Sequence, residues 1–385
     1  MNRILIFGIV ACVGCAAATE MRAQNVVSSP SSSTQAAGSL DYAHAKPVPG
    51  RMSKTAPSLQ VDPAVLKQLH SSPGVAPGAD AKGDLAGQFS PVQLAPPVDL
   101  TQGASPNAGV SPQEYGAAGQ PFSTVRVDAY LDVTHKDPTQ YYYPFRAIGR
   151  LFFKISGSTY VCSASLIKPG VIVTAAHCVA NYGKSQFYSG WQFVPAYYNG
   201  AAPYGVFTAK QAVVMAKYYN GTDSCYQYGV VCPDDVAVIV LNKNAQGYLP
   251  GNLTGWLGYG WNGWGFVSGK SLITQVGYPV ALDGGVLEER NDSQGNVSTT
   301  YSGNTIIGSL ETGGSSGGPW TNNLGVAPSL NGVSYGTAAN SNILVGVTSW
   351  GWVNLTQKQQ GASPFTSGNI VPLVNSACTG NAGYC

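Results

Sequence analysis

Ser316 sits in Gly314-Ser315-Ser316-Gly317-Gly318-Pro319, a turn built from small residues. Such a backbone can bend sharply and aim the N–H groups of Gly314 and Ser316 at one spot, where they would stabilise an oxyanion formed by attack of Ser316 Oγ on a carbonyl. A serine hydroxyl is a poor nucleophile until a neighbouring base takes its proton. The turn therefore calls for a histidine, and for a carboxylate to orient that histidine. His177 meets the first need, at the end of the apolar run Val171 to Thr174 and tied down by the adjoining Cys178. Asp235 meets the second, at the head of Val236-Ala237-Val238-Ile239-Val240-Leu241, where a carboxylate at the edge of a core must be compensated by hydrogen bonds. Singly, each residue also has a structural reading: a Gly/Ser loop, a structural histidine, a strand-initiating turn. His135 is the competing histidine within the folded part.

The elements that must position these residues are strands. From Val125 onward the chain alternates β-branched and aromatic runs with Gly, Asn and Pro, as at Ile148 to Ile155, Val171 to Thr174, Val213 to Tyr219, Val236 to Leu241, Ile343 to Thr348 and Ile370 to Val374. Many short strands without long amphipathic helices between them predict antiparallel β-barrels or sandwiches, and residues 125–385 suffice for two units. The expected division is a first unit over about 125–250 and a second over about 251–385. Six cysteines follow the N-terminal apolar run, and their close spacing favours Cys162 with Cys178, Cys225 with Cys232, and Cys378 with Cys385. No CxxC is present and no second histidine lies near them, so no metal site is expected.

Composition narrows the setting. Charged residues make up 10% of the 385-residue chain, the net charge is +2, and there is no Lys/Arg run, which excludes nucleic acid as an expected partner. Arg3 precedes an apolar stretch to about Ala18, followed by small residues. This is the layout of a secretory signal over residues 1–23, too short to span a bilayer, with cleavage after Ala18 or Ala23. A lipid anchor at Cys12 or Cys15 is the lesser alternative. Residues 24–124 are rich in Ala, Pro, Ser and Gly and predict a largely disordered pro-segment, with a short helix at Asp62 to His70 as the exception. The expectation is a secreted monomer needing no cofactor.

His177, Asp235 and Ser316 occur in that chain order. With Tyr143 to Gly149, Cys162 to Ile167, Thr174-Ala175-Ala176-His177-Cys178, Gly277-Tyr278-Pro279 and Thr348-Ser349-Trp350-Gly351, they make the chain resemble the chymotrypsin-like serine peptidases, particularly the bacterial branch containing the glutamyl endopeptidases. The resemblance implies an all-β fold of two antiparallel Greek-key barrels with the active site in the cleft between them. It further implies His177 as base, Asp235 as its orienter, Ser316 as nucleophile, Gly314 and Ser316 amides as oxyanion hole, and Ser349-Trp350-Gly351 as the strand that pairs with a polypeptide substrate. Three departures stand out. Ser315 replaces the aspartate that pairs with a new N-terminal amine in trypsin. Leu310 replaces trypsin's acidic specificity residue, and Thr348-Ser349 stand where glutamate-specific members carry histidine. Glu311 either lines the specificity pocket or faces solvent.

Two other readings compete. Gly314-Ser315-Ser316-Gly317-Gly318 also satisfies the nucleophile elbow of esterases, but that fold places its histidine after the serine, and no histidine follows His177. An inactive peptidase-like binding or adhesion protein would instead use the aromatic patch Trp256 to Trp264.

Overall fold

The computed structural model describes residues 25–32, 39–48, 51–52, 70–76, 92–97, 120–127, 139–298, 300–325, 340–352 and 357–385. The expected signal over 1–23, residues 62–69 of the helix expected at Asp62 to His70, and His135 lie outside them, and His70 itself begins the strand His70–Ser72. Two six-stranded antiparallel barrels dominate. The first runs in the order Phe207–Met215, Ser189–Pro195, Ile148–Ile155, Ser158–Lys168, Val171–Thr174, Ala237–Leu241, and closes by pairing its last strand with its first. The second runs Pro319–Asn322, Lys270–Gly277, Glu289–Val297, Thr305–Gly308, Gln359–Pro364, Ile343–Trp352, and closes the same way. Closure removes the free edges that an open sheet would present.

Ala237–Leu241 is buried at every position. One face fills the first barrel and the other is covered by the C-terminal helix Ile370–Cys378, which explains a run with no polar alternation. That helix corrects the strand expected at Ile370 to Val374. Ile370, Leu373, Val374 and Ala377 recur at helical spacing and are all buried, and the Asn369 side chain caps the helix by accepting from the Ile370 N–H at 2.6 Å. The expected strand Val213 to Tyr219 likewise ends at Met215, giving way to a short helix Ala216–Asn220.

Glu289–Val297 is a full barrel strand although its sequence is almost wholly polar. Several of its side chains pair across the sheet: Thr274 Oγ1 donates to Asp292 Oδ1 at 2.6 Å, and Asn291 Nδ2 donates to the Gly308 carbonyl at 2.9 Å, while Glu289 Oε1 is buried with no hydrogen-bond partner among the described residues.

The described parts of residues 24–124 add strands to the sheets of both barrels, except Val92–Gln93, which makes a separate two-stranded sheet. Val26–Ser28 pairs with Phe207–Met215, Lys46–Pro47 with Ser158–Lys168, Arg51–Met52 with Ile343–Trp352, His70–Ser72 with Gly258–Trp261, and Val92–Gln93 with Ala201–Ala202. Phe122–Arg126 crosses the expected boundary at 125 and pairs along Glu289–Val297. The three expected disulfides are present. No described helix is long and apolar enough to cross a membrane.

Candidate active site

Thr174 ends its strand, and the chain turns at once into the single 3-10 turn Ala176–Cys178, which carries His177. The Cys162–Cys178 disulfide fixes the far end of that turn to the neighbouring strand. Asp235 immediately precedes Val236 and the strand Ala237–Leu241, which pairs with Val171–Thr174. Adjacent strands of one barrel therefore deliver the histidine and the carboxylate together.

Asp235 is fully buried and accepts three hydrogen bonds. The His177 backbone N–H donates to Oδ1 at 2.8 Å, His177 Nδ1 donates to Oδ2 at 2.8 Å, and Ser349 Oγ donates to Oδ2 at 2.6 Å. A carboxylate facing Nδ1 places the ring hydrogen there and leaves Nε2 as the free acceptor. Nε2 is buried and has no hydrogen-bond partner among the described residues.

Ser316 comes from the second barrel, on the turn before Pro319–Asn322, yet it is locked to the first. Its carbonyl accepts from the Ser163 N–H at 2.7 Å, and Ser163 Oγ donates to the Gly314 carbonyl at 2.9 Å. Sequence reasoning quoted Ser163 only as part of a motif; the structure makes it the clamp between barrels. Gly314 and Gly317 have φ of +103° and +77°. A Cβ at Gly317 would lie 1.9 Å from Thr174 Oγ1, and one at Gly314 would lie 2.5 Å from the Tyr278 carbonyl. These glycines are required by conformation and by space at once.

The peptide planes around Ser316 are set by their carbonyls. The Gly313 carbonyl accepts from the Val280 N–H and the Ser315 carbonyl from the Gly318 N–H, each at 2.8 Å. In a trans peptide the N–H points opposite to its C=O, so the Gly314 and Ser316 N–H groups face away from those partners. Neither amide donates to another described residue. Two such free donors flanking a serine can hold a developing oxyanion.

A cleft beside Ser316 is lined by Leu310, Glu311, Gly313, Thr348, Trp350 and Gly351, among others. Of the candidate substrate-binding residues, Ser349 turns its side chain to Asp235, and Trp350 is buried with Nε1 donating to Asn304 Oδ1 at 2.7 Å, so this strand offers the cleft mainly backbone. Glu311 does not face solvent. It is 4% exposed, its carboxylate lies against Gly277 and Ser315, and burial pushes its carboxyl well above the usual range. Burial also raises Glu288 strongly and takes Glu289 to about 9, with Asp283 and Glu311 adding to the latter. Glu311 is the acid that the sequence singles out; Glu288 and Glu289 carry no sequence signal, because the strand that Glu289 opens is almost wholly polar.

The aromatic patch does not form an open platform. Trp256, Tyr259 and Trp264 are buried, the first two in the main core and the third in the second barrel. Trp261 is partly exposed and stacks on Tyr259 at 5.8 Å.

The family model described as Trypsin matches residues 140–369. A curated relative, the "Extracellular metalloprotease" of Bacillus subtilis (strain 168), is 31% identical over 120 residues, which cover 30% of this chain and 34% of the relative. The chain thus spans about a third of that relative's length. Among solved structures, the protease Anisep from Arthrobacter nicotinovorans is similar at 25% identity and a TM-score of 0.48, over 62% of this chain and 96% of that one. The thermostable serine protease AL20 from an extremophilic microorganism is similar at 24% identity and a TM-score of 0.48, over 61% of this chain and 98% of that one. A Glu endopeptidase in complex with MPD is similar at 19% identity and a TM-score of 0.45, over 69% and 98%.

The relative's name raises the question of a metal. Among the described residues the two clusters with ligand-type atoms are Cys162, His177 and Cys178, and Asp223, Cys225 and Cys232. In each the two cysteines are joined as a disulfide and offer no thiolate, so neither donor set fits a metal. With the matched model spanning more than half of its length, the chain belongs to the Trypsin family.

Proposed function

We propose that the chain is a secreted serine endopeptidase, made as a precursor, that cleaves polypeptides through Ser316, His177 and Asp235. The observation that carries this reading is the buried Asp235 carboxylate bonded to both the backbone and the ring of His177, across the cleft from a serine flanked by two free amides.

The chemistry follows from those atoms. Asp235 keeps the hydrogen of His177 on Nδ1, so Nε2 takes the proton of Ser316 Oγ as that oxygen attacks the substrate carbonyl. The negative charge moves onto the carbonyl oxygen, between the Gly314 and Ser316 N–H groups. The imidazolium that forms is stabilised by Asp235 and returns the proton from Nε2 to the leaving amine, which breaks the peptide bond and leaves an acyl-enzyme on Ser316. Water, deprotonated by the same Nε2, then hydrolyses that ester. No cofactor enters any step. The substrate backbone would lie along Ser349-Trp350-Gly351 by strand addition. Burial pushes the Glu311 carboxyl toward its neutral form, which weakens it as a partner for a basic side chain in the cleft.

The test is labelling of the exported protein with a fluorophosphonate probe, together with casein hydrolysis. Labelling at Ser316 that is lost in Ser316→Ala, with loss of casein cleavage, is the expected result. Casein cleavage undiminished by Ser316→Ala would overturn the assignment. The apolar N-terminal stretch supports export, checked by N-terminal sequencing of the secreted product.

A further inference from the structure

We propose that residues 40–48 with Arg51–Met52 are a built-in inhibitory ligand of the candidate active site, bound in the direction opposite to a substrate and therefore not cut. The proposal rests on the peptidase reading above.

The leader contacts both ends of the cleft. Lys46 and Pro47 pair in parallel with Tyr160 and Val161, next to Cys162 and the disulfide that anchors the His177 turn. Arg51 and Met52 pair in parallel with Gly351 and Trp352, at the end of the strand that borders the cleft. Between these contacts, the Pro47 ring stands over Gly313, 3.0 Å from where a Cβ on that glycine would sit. Val48 is buried in the main apolar core. Ser316 and His177 are correspondingly only 6% and 5% exposed.

Polarity decides whether such a ligand can be cleaved. The strand Ile343–Trp352 starts its approach to the cleft at Ser349, bonded to Asp235, and leads outward to Trp352. The substrate residue whose carbonyl is attacked must place its side chain in the cleft beside Ser316, so the acyl half of a substrate lies along Ser349 to Gly351. The departing amine must reach His177 Nε2, which puts the other half toward Tyr160 and Val161. A productive peptide therefore runs toward Ser316 along residues 349–351, antiparallel to them. The leader does the reverse: its earlier residues, 46–47, lie on the leaving-group side and its later ones, 51–52, on the acyl side. In that direction the nitrogen of any peptide bond presented to Ser316 points to the acyl side, away from His177 Nε2, and cannot be protonated as it leaves.

The stretch just before is anchored like a folded element. Leu40 is 7% exposed and packs with Tyr42 and Ala45 against Phe152, Val161 and Tyr278. Tyr42 meets Phe152 edge-on at 4.9 Å between centroids, its hydroxyl donates to Gln192 Oε1, and the Asp41 N–H donates to Thr159 Oγ1 at 3.0 Å. These contacts hold the segment in register, so affinity comes from residues 40–45 and blockage from residues 46–48 and 51–52.

The experiment uses the full precursor. Fluorophosphonate labelling of Ser316 is timed in the uncut wild-type chain, in a Leu40→Ala/Tyr42→Ala chain, and in wild type after limited proteolysis that removes the leader. Labelling is expected to be slow in the first and faster by more than about 10-fold in the other two, since one buried and one partly buried anchor are lost or the segment is gone. A synthetic peptide of residues 38–54, added to the proteolysed enzyme, should inhibit competitively and stay intact by mass spectrometry, whereas the same peptide with both alanines should bind at least about 10-fold more weakly. This second arm does not depend on the folding of the double variant. Equal labelling of cut and uncut wild type overturns the inhibitory role and leaves the peptidase reading standing. Cleavage of the peptide within residues 46–52 by wild type but not by a Ser316→Ala chain overturns the reversed polarity. Absence of labelling even after proteolysis overturns the peptidase reading, and this proposal with it.

Discussion

Asp235 holds His177 twice, its Oδ1 accepting from the backbone N–H and its Oδ2 from ring Nδ1, each at 2.8 Å. The double contact fixes both the turn and the tilt of the ring, and the acceptor at Nδ1 dictates the tautomer. Asp235→Asn keeps the shape but can present an amide N–H to the ring, which favours the tautomer with hydrogen on Nε2. The variant is expected to retain the native circular dichroism spectrum while kcat falls by about 10⁴-fold at neutral pH. A fall of less than tenfold would remove Asp235 from the mechanism.

Ser349 shares the Oδ2 atom with Nδ1, donating at 2.6 Å. Its loss leaves a buried acceptor one donor short and weakens the hold on the ring without touching substrate. Ser349→Ala should lower kcat by about 10-fold with KM nearly unchanged, which corresponds to one charge-assisted hydrogen bond of ~1.5 kcal/mol. Steady-state kinetics separate this from a binding role, in which KM rises and kcat is kept.

Two left-handed glycines distinguish strain from collision. Gly317 and Gly247 have φ of +77° and +84°, but a Cβ at Gly317 would sit 1.9 Å from Thr174 Oγ1, whereas nothing lies within 4 Å at Gly247. Gly247→Ala should cost only the conformational penalty, about 1 kcal/mol. Gly317→Ala should cost ~4 kcal/mol or more, because the barrels must also part. Denaturant unfolding of both variants measures the difference, and equal costs would contradict the packing described for the Ser316 turn.

Burial raises Glu289 to about 9, so the folded chain keeps a proton that the unfolded chain gives up near pH 4.5. The sign follows from proton uptake. This carboxyl stabilises the fold relative to the unfolded chain fully below about pH 4.5, and that contribution is lost as pH rises to about 9. Glu288 and Glu311 are shifted in the same direction, while Asp283 and Arg126, joined as an ion pair, face Glu289 with opposite effects. Thermal melts of the precursor should show stability falling across this window, and Glu289→Gln should flatten part of the slope. An unchanged slope in the variant would mean that Glu289 is ionised in the fold.

Much of the site was legible in the chain because each member carries a local signature. His177 follows an apolar strand and adjoins a cysteine, Asp235 heads an apolar strand, and Ser316 sits among glycines that the close approach of Thr174, Ser163 and Tyr278 demands. The disulfides were legible from spacing alone. Local pattern misled at Ile370 to Val374, which reads as a strand in isolation and becomes a helix because its apolar positions at helical spacing pack one face on the outside of the first barrel.

Sequence alone singled out the residues proposed to do the chemistry, since nucleophile, base and orienter must be of these types and His177, Asp235 and Ser316 each carry a fitting local setting. Tertiary structure alone decided what surrounds them. Glu289–Val297 is a strand held by backbone pairing and by cross-sheet hydrogen bonds to side chains such as Asp292 and Asn291, interactions between residues on different strands that no local period records. Glu311 is buried rather than solvated because the Gly277 backbone and Ser315 close over it. The parallel direction in which Lys46–Pro47 and Arg51–Met52 pair with Tyr160–Val161 and Gly351–Trp352 is a register between segments more than a hundred residues apart, set by packing and backbone pairing rather than by any motif.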